Sequence, residues 1–508
     1  MHSAKTNDGS LEEATPGVKS ATRSDLVIAA ACLSASISFL FALIAYNFVD
    51  IDLWHQMALI RESMAAGHLL RTDVYAYSPT IRPWIDHEWG AGVIAYFATL
   101  WFGGRAILIL KFSLALGSLL MCRQSSRAKG ANLQLFSLCS LLAIFLLHLG
   151  FFSAVRAQAY TFFFTALLLF VWQQIELQHL GWAWIWLAVF PLWVNLHGGF
   201  VVGIGLTILF CVEKLLKRES CRALLLLLAG MLLESGLTPY GLSYFVYLGR
   251  ALSMSRTYSA EWDPVWSLGL LWMVCFLAAL ALVAYAVLEA GLRNLPGLAP
   301  LTATAAEAML HRKLLPIFAI VWLSCVPFYL QRTQLGEWIL AFLSRRRTFM
   351  LVAWAALGFV SILAAVRQKP WHLYVPQPLY PVGPVKYLQE QGWRGNLMVP
   401  FRLGAYVSWN LYPAIKVSLD SRYEEVFSDN VVRPVFAFYE ARSSWQQALS
   451  LFPPDLILIP LDSPVANRVS EIGWVRIYHD RQFDLYTPRQ TALTQVDWST
   501  VNFAGTFP

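Results

Sequence analysis

The sequence predicts an α-helical polytopic membrane protein that carries a small α/β domain at its C-terminal end. Hydrophobic residues make up 57% of the 508 residues and charged residues only 14%, whereas a soluble globular domain carries roughly a quarter charged residues. Apolar runs follow one another up to residue 366, and the chain then becomes polar. We therefore expect a membrane domain over 25–366 and an external α/β domain over 367–508.

The apolar runs define the expected membrane crossings. A helix perpendicular to the bilayer needs roughly 20 residues, so the shorter runs are expected to tilt or break. The runs cover 25–47, 105–121, 132–150, 157–174, 181–197, 198–213, 223–238, 266–288, 313–330 and 349–366, with a weaker candidate at 295–310.

Clusters of lysine and arginine predict the orientation of these crossings, because cytoplasmic loops are enriched in both residues. The clusters lie at 123–129, 214–222 and 345–347. Placing all three in the cytoplasm requires segment 295–310 to cross, which gives about eleven spans, a cytoplasmic N-terminus and an external C-terminus. If that segment does not cross, either the C-terminal region is cytoplasmic or the triple arginine lies outside.

The remaining composition narrows the class of protein. The formal net charge of +7 reflects topology in a membrane protein, so it does not indicate a nucleic-acid partner. The seven cysteines include no C-x-x-C pair, so neither a disulfide framework nor a zinc ribbon is expected. Residues 1–24 are polar and predict a disordered cytoplasmic tail.

Two regions outside the crossings have recognisable secondary structure. In the first external loop, 48–104, the stretch "EWGAGVIAYFATLWFGG" predicts an interfacial helix. In the C-terminal region, "PLYPVGPVKYLQEQG" predicts a helix entered through prolines, and "KVSLD", "DLILIP" and "WVRIYHD" predict strands.

In this orientation the unusual polar residues gather on the external face. A charged group near the bilayer centre costs about 2.5–3.5 kcal/mol, so we expect these residues to face a shared cavity. We assign catalysis to Asp50, Asp52 and Glu88, and substrate binding to His55, Asp86, His87, Arg156, His197, Tyr240, Glu261, His311 and Arg312.

Several of these residues also have simpler interpretations. Asp50 and Asp52 could mark a solvated helix end, and His197 could donate to a carbonyl within a hairpin that Gly198 and Gly199 allow. Arg156 and Arg312 could be interfacial anchors whose charged groups reach the headgroups.

The polar segments together resemble the GT-C superfamily of polytopic glycosyltransferases. The matching stretches are "DIDLWHQ", "RTDVYAYSPT", "PWIDHEWGAGVIAY", "VRAQAYTF", "WVNLHGGF", "TPYG" and "AEW", and "LGAYVSWNLYPAIKVSLDSRYEEVF" resembles the C-terminal external domain of the same group. The chain is most similar to bacterial relatives of protein mannosyltransferases, the lipid A aminoarabinose transferase and oligosaccharyltransferase subunits.

The resemblance implies roles for particular residues. Asp50, with Asp52 beside it, corresponds to the acid that serves as base or metal ligand, and Asp86 or Glu88 to a second loop acid. Arg156 or Arg312 corresponds to the cation that holds the lipid phosphate. The chain departs from its relatives in "RAQ", where Arg-Pro-Gln is expected, and in "LMVPFRLGAY", where an Asn-Pro-Tyr type turn is usual.

The resemblance also implies a donor, a polyprenyl-phosphate-linked sugar, and a glycan, lipid or protein acceptor at the external face of a bacterial inner membrane. The same residues could alternatively hold a divalent metal, with Asp50, Asp52 and His87 as candidate ligands, and the sequence leaves a metal-dependent and a metal-free enzyme both open. Carboxylates favour Mg or Mn, and imidazoles favour Zn.

Two other functions fit the sequence. The chain could be a catalytically silent GT-C-like scaffold in envelope polysaccharide assembly, or a lipid or glycan transporter. Transporter sites usually lie on broken helices in repeated halves, and the sequence shows no such repeat.

Overall fold

The structure is a computed structural model that describes residues 23–254, 256, 258–377, 379–488 and 496–508. Residues 1–22 of the predicted disordered tail lie outside this part of the chain. The remaining two residues of that tail belong to the first helix, which begins at Arg23.

The described chain up to residue 367 is built almost entirely from α-helices. Short 3₁₀ turns lie between some of them, for example at Ala260–Trp262. The helices are α1 (Arg23–Ile44), α2 (Ile51–Ala66), α3 (Trp89–Phe102), α4 (Gly104–Ala128), α5 (Leu133–Leu147), α6 (Gln158–Glu176), α7 (Gly181–Leu196), α8 (Phe200–Leu216), α9 (Arg222–Glu234), α10 (Ser243–Ser253), α11 (Leu270–Ala290), α12 (Leu298–Leu310), α13 (Leu315–Leu330), α14 (Gln334–Arg345) and α15 (Arg347–Arg367).

Six segments among the described residues are long and apolar enough to cross a membrane, which confirms the polytopic class. They correspond to α1, α4, α5, α11, α13 and α15. The other expected crossings coincide with α6, α7, α8, α9 and α12, which are not among the six. The count of eleven therefore stays a prediction.

Burial separates the central helices from the peripheral ones. In the segment that contains α13, 83% of the apolar window is buried, against 11% for α15. Helix α13 packs against α4, α5, α6, α11 and α12, whereas α15 packs mainly along α1. An apolar helix with so little protein contact is suited to face lipid.

Segment 48–104 contains a helix that the sequence did not predict. Helix α2 starts where Asp50, in extended conformation, accepts a hydrogen bond from the backbone N–H of Asp52, a typical N-cap arrangement. It ends at Gly67, whose φ of 73° suits a residue without a Cβ. The helix expected at 88–104 is confirmed as α3, and its last residues expose Trp101 and Phe102.

The C-terminal region is an α/β structure, as predicted. Its sheet has the order β2-β1-β3-β5-β4-β6; β1 pairs in parallel with β2 and β3, while β5 is antiparallel to β3 and β4. The expected helix and the three expected strands correspond to α16, β2, β3 and β4. The elements are α16 (Val382–Glu390), β1 (Gly395–Met398), α17 (Gly404–Leu411), β2 (Ile415–Val417), α18 (Tyr423–Val426), α19 (Asp429–Tyr439), α20 (Gln447–Leu451), β3 (Leu456–Pro460), β4 (Val475–His479), β5 (Phe483–Thr487) and β6 (Val496–Asp497).

Segment 48–104 joins the edge of this sheet. Backbone hydrogen bonds run from the N–H of Val417 to the carbonyl of Tyr75 at 2.9 Å, and from the N–H of Tyr77 to the carbonyl of Val417 at 3.0 Å. Beside them, the fully buried Arg422 pairs with Asp73 at 2.6 Å and with Asp420. These contacts hold the α/β region against the loop that carries half of the expected site residues.

Candidate active site

Arg156 binds three carboxylates from different parts of the chain. Its Nε lies 3.2 Å from Asp50 Oδ2 and its Nη2 lies 3.3 Å from Asp52 Oδ2, while Nη1 pairs with Glu261. Asp50 and Asp52 lie at the start of α2, Arg156 just before α6, and Glu261 in the turn after α10. We call these four residues the acid–arginine cluster. All four had been assigned to one site from the sequence.

Asp50 is the most restrained acid of the acid–arginine cluster. Only 6% of its surface is exposed, and its Oδ2 accepts a 2.7 Å hydrogen bond from the hydroxyl of Ser153. Burial raises the pKa of the Asp50 carboxyl to about 6, although Arg156 opposes the shift. Asp50 is therefore a buried carboxyl with a raised pKa. It is not the solvated helix end that the sequence also allowed.

A cavity of about 250 Å³ opens beside this cluster. Asp50, Arg156 and Glu261 line it together with two further cations, Arg312 and Lys313. The rest of its wall is mostly apolar and includes Phe48, Phe152, Phe162 and Leu268. This acid–arginine cavity thus combines a charged end with an apolar wall, which suits an amphipathic ligand.

A second group, the histidine cluster, consists of Asp86, His87, Glu88, His197 and Glu425. His87 Nδ1 lies 2.6 Å from Glu425 Oε1, and its Nε2 lies 3.4 Å from Glu88 Oε1. Burial alone would lower the pKa of the His87 imidazole, but these carboxylates hold it well above its usual value. His87 is therefore an imidazolium between two anions.

His197 occupies the turn between α7 and α8. Its Nδ1 accepts a 2.9 Å hydrogen bond from the backbone N–H of Gly199, so the proton sits on Nε2, which lies 3.4 Å from Glu88 Oε1. A Cβ on Gly199 would lie 2.6 Å from that Nδ1, so the hairpin needs glycine here. The hydrogen bond differs from the donation to a carbonyl that the sequence suggested.

The two clusters are neighbours along α2. His55 Nε2 lies 3.6 Å from Asp52 Oδ1, and the side chain of Gln56 donates to Glu88. Burial opposes protonation of His55, yet Asp52 raises the pKa of its imidazole to about 9. Helix α2 therefore contacts both clusters, through Asp52 and His55 on one side and Gln56 on the other.

Asp86 lies on the far side of the histidine cluster. Its Oδ1 accepts the N–H of Glu88 at 2.7 Å, and its own N–H donates to the hydroxyl of Tyr240 at 3.3 Å. Its Oδ2 is buried and has no hydrogen-bond partner among the described residues. Burial raises the pKa of this carboxyl to about 7, and the nearby Glu425 adds to the shift.

Arg312 lines the acid–arginine cavity, whereas the preceding His311 contacts the turn after α10. His311 Nδ1 lies 3.0 Å from the carbonyl oxygen of Trp262. The backbone N–H of Arg312 donates to the carbonyl of Asp263 at 2.8 Å, and its guanidinium lines the cavity. Of this pair, the structure brings Arg312 to Asp50 and leaves His311 as a support for the turn.

The arrangement separates the three metal candidates. Asp50 and Asp52 are paired with Arg156, while His87 belongs to the histidine cluster. Two groups of the described residues have ligand atoms close enough for one ion, His87–Glu88–His197 and Asp86–His87–Glu425.

The hydrogen bonding does not fit a metal in either group. His197 Nε2 carries a proton because its Nδ1 accepts from Gly199, and metal ligation needs that nitrogen deprotonated. The 2.6 Å spacing of His87 Nδ1 and Glu425 Oε1 is that of a charge-assisted hydrogen bond in which the imidazolium donates, and a metal ligand at that nitrogen would have to be deprotonated. The imidazoles of both groups are engaged in hydrogen bonds or ion pairs, and Asp86 Oδ2 is a single oxygen without a partner among the described residues, so we derive no step through a metal.

Several residues of the site were missed in the sequence. Ser153 stands three positions before Arg156, and Lys313 directly follows Arg312, so proximity to an assigned residue was the only available indication. Glu425 belongs to "SRYEEVF", which the resemblance included without assigning it a role. Its contact with His87 spans more than three hundred residues, and local spacing does not reveal such a pairing.

Comparison with known proteins supports the fold. The sequence matches no protein-family model and no curated protein. Among solved structures, it is similar to ArnT from Cupriavidus metallidurans bound to undecaprenyl phosphate, with a TM-score of 0.51 and 13% sequence identity. The match covers 92% of this chain and 98% of that one. At this level of identity the likeness concerns the fold alone: the chain has a fold similar to that of ArnT over nearly the whole length of both chains.

Proposed function

We propose that the chain is a membrane glycosyltransferase that moves a sugar from a polyprenyl-phosphate donor to an envelope glycan, lipid or protein. The observation that carries this proposal is the acid–arginine cavity, where the Asp50 carboxylate faces the same space as Arg156 and Arg312. An acid of raised pKa beside cations is what this transfer requires.

The donor phosphate fits the cationic end of the cavity. Arg156 pairs with Asp50, Asp52 and Glu261, and we assign the incoming phosphate to Arg312 and Lys313, which line the same cavity. A guanidinium can bind two phosphate oxygens at once. The apolar wall with Phe152 and Phe162 suits the first isoprene units.

Asp50 would act as the base. The acceptor hydroxyl attacks the anomeric carbon, its proton passes to Asp50, and the bond from that carbon to the phosphate oxygen breaks. The leaving phosphate keeps the bonding electron pair, and the cations stabilise its charge. A positioned base of suitable pKa contributes about 100- to 10,000-fold to such a step. Asp52 and Glu261 would keep the Arg156 guanidinium in place.

The proposed location is a bacterial inner membrane, with the N-terminus in the cytoplasm and the C-terminal region outside. It rests on the positive clusters at 123–129, 214–222 and 345–347. The proposed units are the transmembrane part, 25–366, which includes loop 48–104, and the α/β domain, 367–508. Both clusters would then lie at the external ends of the helices.

The experiment compares Asp50→Asn with wild type in transfer from a radiolabelled polyprenyl-phosphate sugar to native envelope acceptors. Asparagine can also cap α2, so the variant should fold, and we expect at least about a 100-fold loss of transfer. Asp429→Asn makes the same chemical change at the start of α19, where the side chain is 47% exposed, and should leave transfer unchanged. Near-normal transfer by Asp50→Asn would refute the role of Asp50 as base.

A further inference from the structure

A second cavity, of about 400 Å³, lies between the turn after α10 and helix α19 of the C-terminal region. Its size is within the roughly 300–1,000 Å³ typical of ligand pockets. We call it the aromatic cavity. It is lined by Tyr258, Ala260, Asp263, Phe436, Glu440 and Arg442.

Two aromatic rings form one wall of the aromatic cavity. The centroids of Tyr258 and Phe436 lie 4.5 Å apart, and the ring planes are inclined by 35°. Both side chains are half-buried, so their outer faces are open to a ligand. Such rings offer rigid apolar area with little loss of side-chain entropy, and the C–H faces of a sugar ring pack well on them.

The opposite edge of the aromatic cavity is polar and exposed. Asp263, Glu440 and Arg442 supply two carboxylates and one guanidinium, and Arg442 pairs with Glu440. Planar groups of this kind can bind two adjacent hydroxyls of one ring. The three charges sum to one negative charge, so the cavity disfavours a phosphate or an acidic sugar. A neutral saccharide satisfies both walls.

The aromatic cavity shares a wall with the acid–arginine cavity. Ala260 and Asp263 line the aromatic cavity, whereas Glu261 between them lines the other and binds Arg156. The carbonyl of Asp263 accepts the N–H of Arg312, which also lines the acid–arginine cavity. Only the short segment 260–263 therefore separates a ligand in the aromatic cavity from Arg156 and Asp50.

We propose that the aromatic cavity binds the acceptor, and that the acceptor presents a neutral saccharide to the enzyme. This inference rests on the proposed function and narrows its acceptor from glycan, lipid or protein to a glycan-bearing molecule. It also assigns the C-terminal region a task, because Phe436, Glu440 and Arg442 come from that region.

The test measures saccharide binding apart from catalysis. Saturation-transfer NMR on the purified full-length protein would use two neutral disaccharides, N,N′-diacetylchitobiose and cellobiose, and a uronic-acid disaccharide. We expect a signal from at least one neutral disaccharide with wild type and with Asp50→Asn, and none from the acidic one. The signal should be lost in Tyr258→Ala and Arg442→Ala. Arg433→Ala, which removes an exposed, ion-paired arginine of α19 outside the cavity, should retain it.

Transfer kinetics give a second readout. Tyr258→Ala and the milder Phe436→Leu should raise the KM for the acceptor about tenfold or more, with the KM for the polyprenyl-phosphate donor unchanged. Equal rises of both values would indicate general damage and overturn the inference. So would the absence of any neutral-saccharide signal from wild type, or a signal that survives in Tyr258→Ala. Transfer that still depends on Asp50 in those cases would leave the proposed function intact.

Discussion

His87 Nδ1 lies 2.6 Å from Glu425 Oε1, and this hydrogen bond connects loop 48–104 to the C-terminal α/β region. Glu425 is 4% exposed and also accepts from Trp84 Nε1 at 3.3 Å. Because His87 pairs with Glu88 as well, the histidine cluster is complete only when the α/β region is docked. The geometry of the histidine cluster thus depends on the docking of the α/β region.

Glu425→Gln should destabilise the protein in a pH-dependent way. The carboxylates raise the pKa of His87, so its stabilising contribution is complete below the usual histidine value of about 6.5. It is lost as pH rises through the raised value. The difference in thermal unfolding temperature between wild type and Glu425→Gln should therefore be largest at acidic pH and shrink as pH increases.

The control for this prediction is Glu471→Gln, which alters an exposed glutamate of the same region and should leave the unfolding temperature unchanged. A pH-independent difference for Glu425→Gln would show that the charge on His87 is not involved.

The rate of transfer should fall as pH drops through about 6, because burial raises the pKa of the Asp50 carboxyl to that value and a protonated base is inactive. The residual activity of Asp50→Asn should lack this acidic limb. Initial rates between pH 5 and pH 8 at saturating donor would measure both. A wild-type rate that stays constant from pH 8 down to pH 5, as expected for a base with the usual aspartate value of 3.8, would contradict the environment described for Asp50.

The same shift makes Asp50 costly for stability. Folding raises the pKa of this carboxyl, so the folded protein loses stability relative to the unfolded chain as pH rises from 3.8 to about 6. Asp50→Asn should therefore unfold at a higher temperature than wild type at pH 7.5, and the gain should disappear near pH 4. Unfolding followed by tryptophan fluorescence in detergent would test this, and a lower temperature for the variant at pH 7.5 would contradict it.

The membrane part and three of the six described strands of the C-terminal region could be predicted from local patterns, whereas β1, β5 and β6 were missed. Apolar length identified α1 and α15, and a short continuous apolar run identified β3. Helix α2 was missed because every residue from Leu53 to Ile60 is buried, so its residues "IDLWHQMALIRESMAA" show no regular amphipathic period. The available indication of its start was Asp50, because an aspartate is a common N-cap and Asp52 places a second acid in the first turn.

The polar residues of the candidate site could be predicted as a set, but their division into two clusters could not. Arg156 contacts residues more than a hundred positions away on both sides, and these separations are set by tertiary packing. The charge on each acid depends on such partners, so sequence alone placed His87 with Asp50 and Asp52 as a metal candidate. The structure pairs it with Glu88 and Glu425.

Arg156→Lys should abolish most transfer. One ammonium group cannot reproduce the fork by which the guanidinium meets Asp50, Asp52 and Glu261 at three nitrogens. We expect transfer to fall at least about 100-fold and the unfolding temperature to drop, since buried carboxylates lose partners. Arg433→Lys, at an exposed ion pair, provides the matched control. Transfer within a factor of three of wild type in Arg156→Lys would exclude a role for the guanidinium geometry.

Arg422→Met should detach the α/β region from loop 48–104. Arg422 is fully buried and pairs with Asp73 and Asp420, and removing one partner of a buried ion pair costs about 3–5 kcal/mol. Arg433→Met, at an arginine with 69% side-chain exposure, should change stability by less than about 0.5 kcal/mol. Limited proteolysis should release a C-terminal fragment from Arg422→Met at protease concentrations that leave wild type and Arg433→Met intact.

Triple replacement of Asp73, Asp420 and Arg422 by apolar residues should restore resistance, because no buried charge is then left without a partner. If the triple variant is as sensitive as Arg422→Met, the loss of packing around the side chain, and not the unpaired carboxylates, explains the detachment.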